Sequence, residues 1–172
     1  MKRTLLFLSL LAVVLCIKAQ SVDVYVEDNS GTRTNIRNAP KGKVVHRIPK
    51  NTIAMIEVEE PKDGWWRICD NSYFSVDGKG YEGLYKLTGS NTGYWIHYSV
   101  LAVATRNYGG ETLYLYQQPT VRSKKVYTIN GEILFRPVDV HDDWVKCTTL
   151  TGNNVGWIKA EWLCGNALTN CN

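Results

Sequence analysis

Short stretches in which apolar and polar residues alternate recur along most of the chain. Between residues 22 and 26 three valines alternate with Asp23 and Tyr25, and the same period of two recurs over residues 52–58 and 113–116. Alternation of this kind, rich in β-branched and aromatic residues, predicts β-strands. After residue 19 no window of about eleven residues shows helical periodicity. The pattern therefore predicts an all-β fold.

Turn-forming sequences separate these strands. They are Asn29-Ser30-Gly31, Asp77-Gly78, Asn130-Gly131 and Thr151-Gly152-Asn153. Asn-Gly and Asp-Gly favour tight hairpins because they readily adopt positive φ angles. Single helical or 3₁₀ turns are predicted only at residues 97–100 and 159–162.

One sequence motif occurs twice in the chain. Residues 93–101 read GYWIHYSVL and residues 156–163 read GWIKAEWL, so that Trp95 matches Trp157 (157 − 95 = 62). Upstream, Val45 and Ile48 match Val126 and Ile129 at one spacing (126 − 45 = 129 − 48 = 81). Internal repetition of this kind predicts one small module built twice.

The first copy is longer than the second. The separation between Trp65 and Trp95 in the first copy is 30 residues (95 − 65), whereas that between Trp144 and Trp157 in the second is 13 (157 − 144). The extra length lies in about residues 70–92, which are rich in Gly, Tyr and Ser and predict an inserted hairpin. Residues 105–110 break the strand pattern. The predicted modules are therefore 20–105, with the insertion, and 106–172.

Residues 1–19 have the pattern of a secretory signal peptide. Lys2 and Arg3 form a short positive region, residues 5–17 are apolar apart from Ser9, and Ala19 supplies a small residue for cleavage. We predict a signal helix that is cleaved after Ala19. The protein is then expected to be exported, to the periplasm or the cell exterior.

Removing the signal changes the charge of the chain. Without Lys2, Arg3 and Lys18 the formal charge falls from +4 to +1, with 17 basic against 16 acidic residues. A nucleic-acid partner is not predicted, because such proteins carry clustered positive charge. No second apolar run reaches membrane length, so no membrane span is predicted after cleavage.

Four cysteines follow the signal, and export makes disulfides chemically possible. Four cysteines allow three pairings. We favour Cys164 with Cys171, because they bracket the turn-rich loop GNALTN. Cys147 is expected to face the core, and Cys69 is either free or its partner.

The repeated residues resemble the bacterial SH3 domain family, which consists of small barrels common in exported proteins. The shared rhythm is N-[IV]-R, a proline, V-x-x-I, G-W and a closing G-W-[IV]-x-x-x-x-L. The first copy carries Asn35-Ile36-Arg37, Pro40, Val45, Ile48, Gly64-Trp65, Trp95-Ile96 and Leu101. The second carries Pro119, Val126, Ile129, Trp144, Gly156-Trp157-Ile158 and Leu163.

The chain departs from this rhythm in two places. Tyr94 interrupts the closing Gly-Trp of the first copy, and the second copy has Tyr114 and Tyr116 where the opening Asn and Arg belong. The resemblance implies two tandem SH3-like barrels that cover nearly all of the mature chain. In some family members the grooves engage cell-wall peptides or glycine-rich bridges, which implies a similar ligand class here.

Catalytic chemistry finds little support in the sequence. A cysteine hydrolase needs its cysteine exposed beside a histidine, but Cys147, six residues after His141, is predicted to face the core. The chain contains neither G-x-S-x-G nor H-E-x-x-H. The acidic residues beside His141 are expected to face water, so neither a metal nor a cofactor is predicted. Exported cysteine endopeptidases that carry such barrels have a separate catalytic domain, for which no room remains.

Binding is better supported, because the chain has six tryptophans and ten tyrosines. Period two places Trp65 and Trp144 opposite the core-facing Trp66 and Val145, on an outer face where a ligand groove is expected. Arg37 is a candidate partner for a peptide carboxylate. The candidate ligand-binding residues are Arg37, Trp65, Tyr73, Tyr81, Tyr85, Tyr94, Tyr98 and Trp144.

We therefore predict a non-catalytic exported binding module that recognises a peptide or cell-wall fragment through aromatic-lined loops. The alternative is a structural or protein-interaction subunit of an envelope assembly, with an envelope protein as partner. A cleft lined by Trp65, Tyr73 and Tyr81 favours the first, and a flat apolar patch the second. The oligomeric state is left open.

Overall fold

A computed structural model describes residues 20–50, 52–69, 73–76, 84–86, 93–169 and 171, with the backbone alone described for 73–76 and 84–86. The predicted signal peptide, residues 1–19, lies outside this part of the chain. So does the predicted hairpin tip at Asp77-Gly78.

Within the described ranges the chain forms fifteen strands, two 3₁₀ turns and no α-helix, which confirms the all-β prediction. The strands are β1 Val22–Val26, β2 Thr34–Arg37, β3 Val44–Ile48, β4 Ala54–Lys62, β5 Trp65–Ile68, β6 Tyr73–Val76, β7 Leu84–Lys86, β8 Tyr94–His97, β9 Leu101–Thr105, β10 Leu113–Tyr116, β11 Lys125–Ile129, β12 Leu134–His141, β13 Trp144–Thr149, β14 Val155–Lys159 and β15 Leu163–Cys164. The 3₁₀ turns, Tyr98–Val100 and Ala160–Trp162, lie where they were predicted. No helix in this part of the chain is long and apolar enough to span a bilayer.

The antiparallel strand pairings occur in two matching sets. In the first set the order of neighbours is β4-β5-β8-β2-β3, and in the second it is β12-β13-β14-β10-β11. Hydrogen bonding joins both sets into one continuous sheet. The sequence repeat therefore corresponds to a repeated pattern of strand pairing.

Strand β9 belongs to both sets. In the first, β1 pairs β4 through Tyr25↔Met55, and the second repeats this contact as β9 with β12 (Ala104↔Leu134; 104 − 25 = 134 − 55 = 79). The start of β9 also pairs with β1, and its end pairs with β15. Thus β9 closes the first set and opens the second. The strand ends at Thr105, the residue at which the two predicted modules meet.

Two further contacts hold the sets together. The Trp66 indole, fully buried on β5, donates a hydrogen bond from Nε1 to the carbonyl oxygen of Pro137 on β12, at 2.9 Å. The half-buried Arg136 donates from Nη1 to the carbonyl oxygens of Glu27 (2.9 Å) and Leu101 (2.6 Å). These bonds join residues of the first set to β12 of the second.

The core is a cluster of mainly aliphatic side chains taken from both sets. Each of its strands contributes alternate residues, as the period of two predicted. The largest fully buried side chains are Trp66, Phe135, Ile36, Ile68, Ile96, Leu101, Leu115, Ile129, Ile158, Val24 and Val58. Cys147 is fully buried, as predicted.

The region of the predicted insertion contains β6 and β7. These strands pair antiparallel through Phe74↔Tyr85, and β6 also pairs with β4 through Ala54↔Val76. The segment therefore extends the sheet at the start of β4, where Met55 pairs with β1 on one side and with β6 on the other.

The predicted Cys164–Cys171 disulfide is confirmed, with Cα atoms 5.5 Å apart, and Cys69 and Cys147 are free. The segment that follows β15 lies directly on β1. An added Cβ at Gly165 would lie 2.1 Å from the carbonyl carbon of Asp23, so only glycine permits this approach. The disulfide closes the chain just beyond this contact.

Candidate binding site

Three neighbouring strands place polar and aromatic side chains on the outer face of the first set. Ile36, Trp66 and Ile96 point into the core. Successive side chains of a strand alternate between its two faces. Arg37 follows Ile36, His97 follows Ile96 and Trp65 precedes Trp66. These three neighbours therefore lie on the opposite face. Tyr98 follows at the start of the 3₁₀ turn. We call Arg37, Trp65, His97 and Tyr98 the first aromatic face.

The side chains of this face contact one another in a row. The Arg37 guanidinium lies 5.6 Å from the centroid of the Trp65 ring, a cation–π arrangement. Trp65 meets His97 edge to face with ring centroids 5.0 Å apart, and the His97 and Tyr98 rings contact each other at a tilt of 41°, with centroids 4.8 Å apart. Nη1 of Arg37 also donates to the carbonyl oxygen of Gly42 at 2.6 Å, which holds the guanidinium in place.

His97 is neutral in this arrangement. Its Nδ1 accepts a hydrogen bond from the backbone N–H of Ser99 at 3.3 Å, which leaves the proton on Nε2. Burial lowers the pKa of His97 below its usual value. The ring therefore offers an Nε2–H donor, and the positive charge of the first aromatic face comes from Arg37.

The prediction that Trp65 and Trp144 are accessible to a ligand on the outer face is wrong. Trp65 does lie on the face opposite Trp66, but only 9% of it is exposed, and Trp144 is 7% exposed. The reason is that side chains from neighbouring strands cover both rings. Arg37 and His97 cover Trp65, and Tyr116 meets Trp144 edge to face at 5.6 Å. A ligand would meet the covering side chains first.

The second set builds a different surface at the matching position. Tyr116 pairs with Trp157 as Arg37 pairs with Trp95, so tyrosine replaces the arginine. Tyr114 lies 6.3 Å from Tyr116, and the ammonium of Lys125 lies 3.4 Å from the centroid of the Tyr114 ring. This second aromatic face is a row of tyrosines, with its cation at the end of the row.

The remaining sequence candidates are spread over several positions. Tyr94 packs partly buried against the core, and its buried hydroxyl has no hydrogen-bond partner in the described part of the chain. Tyr73 lies on β6 and Tyr85 on β7, where the backbone alone is described. Tyr81 lies outside the described residues. The structure thus brings together Arg37, Trp65 and Tyr98 and leaves Tyr94 apart from them.

Two residues at these faces are missing from the candidate ligand-binding residues derived from the sequence. His97 lies between Trp65 and Tyr98, and Tyr116 covers Trp144. The internal repeat could have pointed to both residues, because each lies at a position that matches a residue of the other copy. His97 matches Lys159 at the closing spacing (159 − 97 = 62), and Arg37 matches Tyr116 at the opening one (116 − 37 = 79).

The free cysteines lie in surroundings that oppose thiolate formation. Burial, together with the charges of Glu57 and Glu59, raises the pKa of Cys69 to about 12. Burial alone raises the pKa of Cys147, whose side chain is completely enclosed. The thiolate is the nucleophilic form of cysteine, so neither group is activated for attack at neutral pH.

The acidic turn at His141 shows no clustering of metal ligands. The nearest atoms of His141 and Asp142, Nε2 and Oδ2, are 3.6 Å apart, and both side chains are largely exposed. Across the described residues no group of three or more His, Cys, Asp or Glu side chains is placed to hold a metal ion.

No protein-family model matches the chain, and no curated protein is similar enough to count as a relative. Among solved structures, NlpC2 and NlpC1 from Trichomonas vaginalis are similar over 90% and 96% of this chain, at 9% and 10% sequence identity. The TM-score is 0.31 in both cases. The chain spans about half the length of each structure (52% and 54%). This TM-score is too low for the likeness to define the fold or activity of this chain.

Proposed function

We propose that this chain is a non-catalytic, exported binding module built from two tandem SH3-like barrels that share strand β9. Support for the barrels comes from the closing motif at Trp95 and Trp157 and from the matching order of strands in the two sets. Small barrels host many activities, so the function is argued from the first aromatic face.

Export is supported by two independent features. Residues 1–19 have the pattern of a cleaved signal peptide. The Cys164–Cys171 disulfide supports export as well, because disulfides form and persist mainly in oxidising compartments. The periplasm and the cell exterior both meet this condition.

The position of Arg37 carries the proposal. Its guanidinium is held between the Trp65 ring and the carbonyl oxygen of Gly42, and it is only partly buried. Its other N–H donors have no partner among the described residues, so they remain able to bind a carboxylate. Beyond Trp65 in the same row, His97 provides a neutral Nε2–H donor and Tyr98 provides apolar surface.

This combination suits a peptide or cell-wall fragment with a free carboxylate. The carboxylate would pair with Arg37, while the adjoining extended peptide would lie across the rings of His97 and Tyr98. Rigid aromatic groups bind at low entropic cost because they are already fixed by their neighbours. No step of this recognition requires a nucleophile, in keeping with the raised pKa of Cys69.

The test is a pull-down with insoluble peptidoglycan, comparing the wild type with Arg37→Gln. Loss of one charge-assisted contact is expected to weaken binding about tenfold. Arg122→Gln removes the same charge from an exposed turn and serves as the matched control. Thermal unfolding of each variant establishes that it is folded.

A second arm uses peptidoglycan whose stem carboxylates have been converted to amides. If Arg37 binds a carboxylate, this material retains the wild type about as weakly as native peptidoglycan retains Arg37→Gln. Equal retention of all three proteins on both materials would rule out the assigned site. Absence of any binding would overturn the cell-wall proposal and favour the alternative, a subunit that docks on an envelope protein.

A further inference from the structure

A row of directly paired residues crosses four neighbouring strands of the second set. Lys125 on β11 pairs with Tyr116 on β10, which pairs with Trp157 on β14. Trp157 in turn pairs with Lys146 on β13. We call these four residues the cross-strand row. It has a cation at each end and two aromatic rings between them.

The side chains of the cross-strand row share the outer face of the sheet. The residue before each of Tyr116, Trp157 and Lys146 is buried, so these three lie on the opposite face. The Lys125 ammonium reaches the same face, where it lies 3.4 Å from the centroid of the Tyr114 ring. The Lys146 ammonium lies 5.7 Å from the centroid of the Trp157 ring. Both cations therefore lie against aromatic rings, in cation–π arrangements.

The described part of the chain supplies no anion to either end of the row. Neither Lys125 nor Lys146 forms an ion pair with a carboxylate of the described residues. Asp139 lies opposite Lys146 in the strand register, but its Oδ1 accepts a hydrogen bond from the backbone N–H of Val140 at 2.9 Å. Both ammonium groups are thus able to pair with a carboxylate from another molecule.

The first set neutralises the cation at the corresponding position. Arg67 pairs with Trp95 as Lys146 pairs with Trp157. The Arg67 guanidinium forms ion pairs with Glu59 and, at 3.1 Å, with Glu60. The lack of a carboxylate partner at Lys146 is therefore a difference between the two sets.

Apolar surface lies beside the row, and its surroundings oppose a long polyanion. Val155, two residues before Trp157 and on the same face of β14, is 47% exposed. The largely exposed carboxylates of Asp143 and Glu161 lie at the other end of β14, each 3.5 Å from the Lys159 ammonium. They would repel further negative charge. The face therefore suits two separate carboxylates with an apolar group between them.

We propose that the cross-strand row binds an extended acidic segment of a partner protein, with two carboxylate side chains four residues apart. The row spans three strand spacings, about 14 Å, and residues i and i+4 of an extended chain are about 14 Å apart and point the same way. Their carboxylates would pair with Lys125 and Lys146, and the side chain at i+2 would contact Trp157. This site does not depend on the function proposed for the first aromatic face.

The experiment is a calorimetric titration of the purified protein with acetyl-AEALAEA-amide, whose blocked ends leave only the two glutamates charged. NMR locates the site, with shifts expected for amides of β10, β13 and β14. Acetyl-AQALAQA-amide removes both charges and should bind at least tenfold more weakly. Acetyl-AELEAAA-amide keeps the charge at a spacing of two residues, so it reaches one lysine at a time and should also bind about tenfold more weakly.

Variants probe the protein side of the same contacts. Lys125→Gln and Lys146→Gln are each expected to weaken binding of the acidic peptide about tenfold, because one charge-assisted contact is lost. Lys43→Gln removes the same charge from an exposed position of the first set and should leave binding unchanged. If a variant fails to fold, the uncharged peptide still tests the same contacts.

Several results would overturn the assignment. They are no binding of the acidic peptide at about 5 mM, equal binding of the uncharged peptide, or equal binding of the peptide with the shorter spacing. Weakening by Arg37→Gln and by neither lysine variant would move the peptide to the first aromatic face. Displacement of the peptide by polygalacturonate at equal carboxylate concentration would assign the row to an acidic polysaccharide instead. Failure of peptidoglycan binding, in contrast, would leave binding of the acidic peptide here unaffected.

Discussion

Trp65 and Trp144 occupy matching positions and are covered by chemically different neighbours. Arg37 and His97 pack on the first, and Tyr116 packs on the second. A tryptophan covered in this way stabilises the face it lies on and keeps the covering side chain in a fixed position. Its role is then structural, and under the proposed function the covering side chain is the one presented to a ligand.

Replacing Trp65 or Trp144 by alanine is expected to lower the free energy of unfolding by about 3 kcal/mol, because a buried aromatic ring is lost and a cavity is left. Urea denaturation measures this change. Trp65→Phe, which keeps a ring against Arg37, should lose clearly less. A loss of less than about 0.5 kcal/mol in the alanine variants would show that both rings are exposed in solution.

Cys69 should react slowly with iodoacetamide, and more quickly only at high pH. With its pKa raised to about 12, the thiolate fraction is very small at pH 8. The labelling rate should therefore rise about tenfold per pH unit from about pH 8 to 10 without a plateau. The unfolded protein, in which cysteine ionises near pH 8.5, is the control. A plateau below about pH 9 in the native protein would contradict the assigned environment.

At the scale of elements, the close packing of β10 against β14 depends on Gly156. An added Cβ there would lie 2.8 Å from both Leu115 Cβ and Val126 Cγ2. It would also lie 2.9 Å from the carbonyl oxygen of Tyr116. Glycine in the closing Gly-Trp motif therefore allows the strand before Trp157 to approach its neighbour.

Gly156→Ala is expected to lower the free energy of unfolding by about 1–3 kcal/mol, since the strands must separate to admit the methyl group. Gly131→Ala is the matched control, because nothing lies within 4 Å of an added Cβ at that turn. Urea denaturation of both variants makes the comparison. Equal stability of the two variants would mean that β10 and β14 are more loosely packed than described.

The strands themselves were predictable because a period of two is visible within each short segment. Val22, Val24 and Val26 were expected on one face, and all three are buried. The covering of Trp65 was not predictable in this way. It depends on Arg37 and His97, which lie on other strands and meet Trp65 only through the pairing of the sheet.

The sequence does not predict, for a related reason, that β9 pairs with strands of both sets. The residues of β9 read as a simple apolar strand, and such a pattern contains no information on how many strands it pairs with. Only the registers reveal its two roles, through Val26↔Leu101 on one side and Leu163↔Thr105 on the other. The break in pattern after Thr105 marked the end of a strand correctly.

At the scale of the whole molecule, β9 and the hydrogen bonds of Trp66 and Arg136 join the two strand sets. A single core cluster also includes side chains from both. Joined in this way, neither set can lose its strand pairing without exposing part of the other. The two sets are therefore expected to unfold together.

Hydrogen exchange tests this coupling. Amides of β5 and β13 should open with the same free energy, and Arg136→Met should lower both by about 1–3 kcal/mol because two partly buried carbonyl oxygens lose their donor. Arg122→Met, on an exposed turn, should change neither. If protection fell in β5 alone, the two sets would be independent folding units.

The double role of β9 also has an evolutionary consequence. Matching positions of the two strand sets can change separately, since Arg37 in one set corresponds to Tyr116 in the other. Leu101–Thr105 has no second copy with which to share its two tasks, because its first two residues pair with β1 and its last three pair with β12 or β15. We expect these five residues to accept fewer substitutions in a saturation library than any other strand, and to change most slowly as the two halves drift apart.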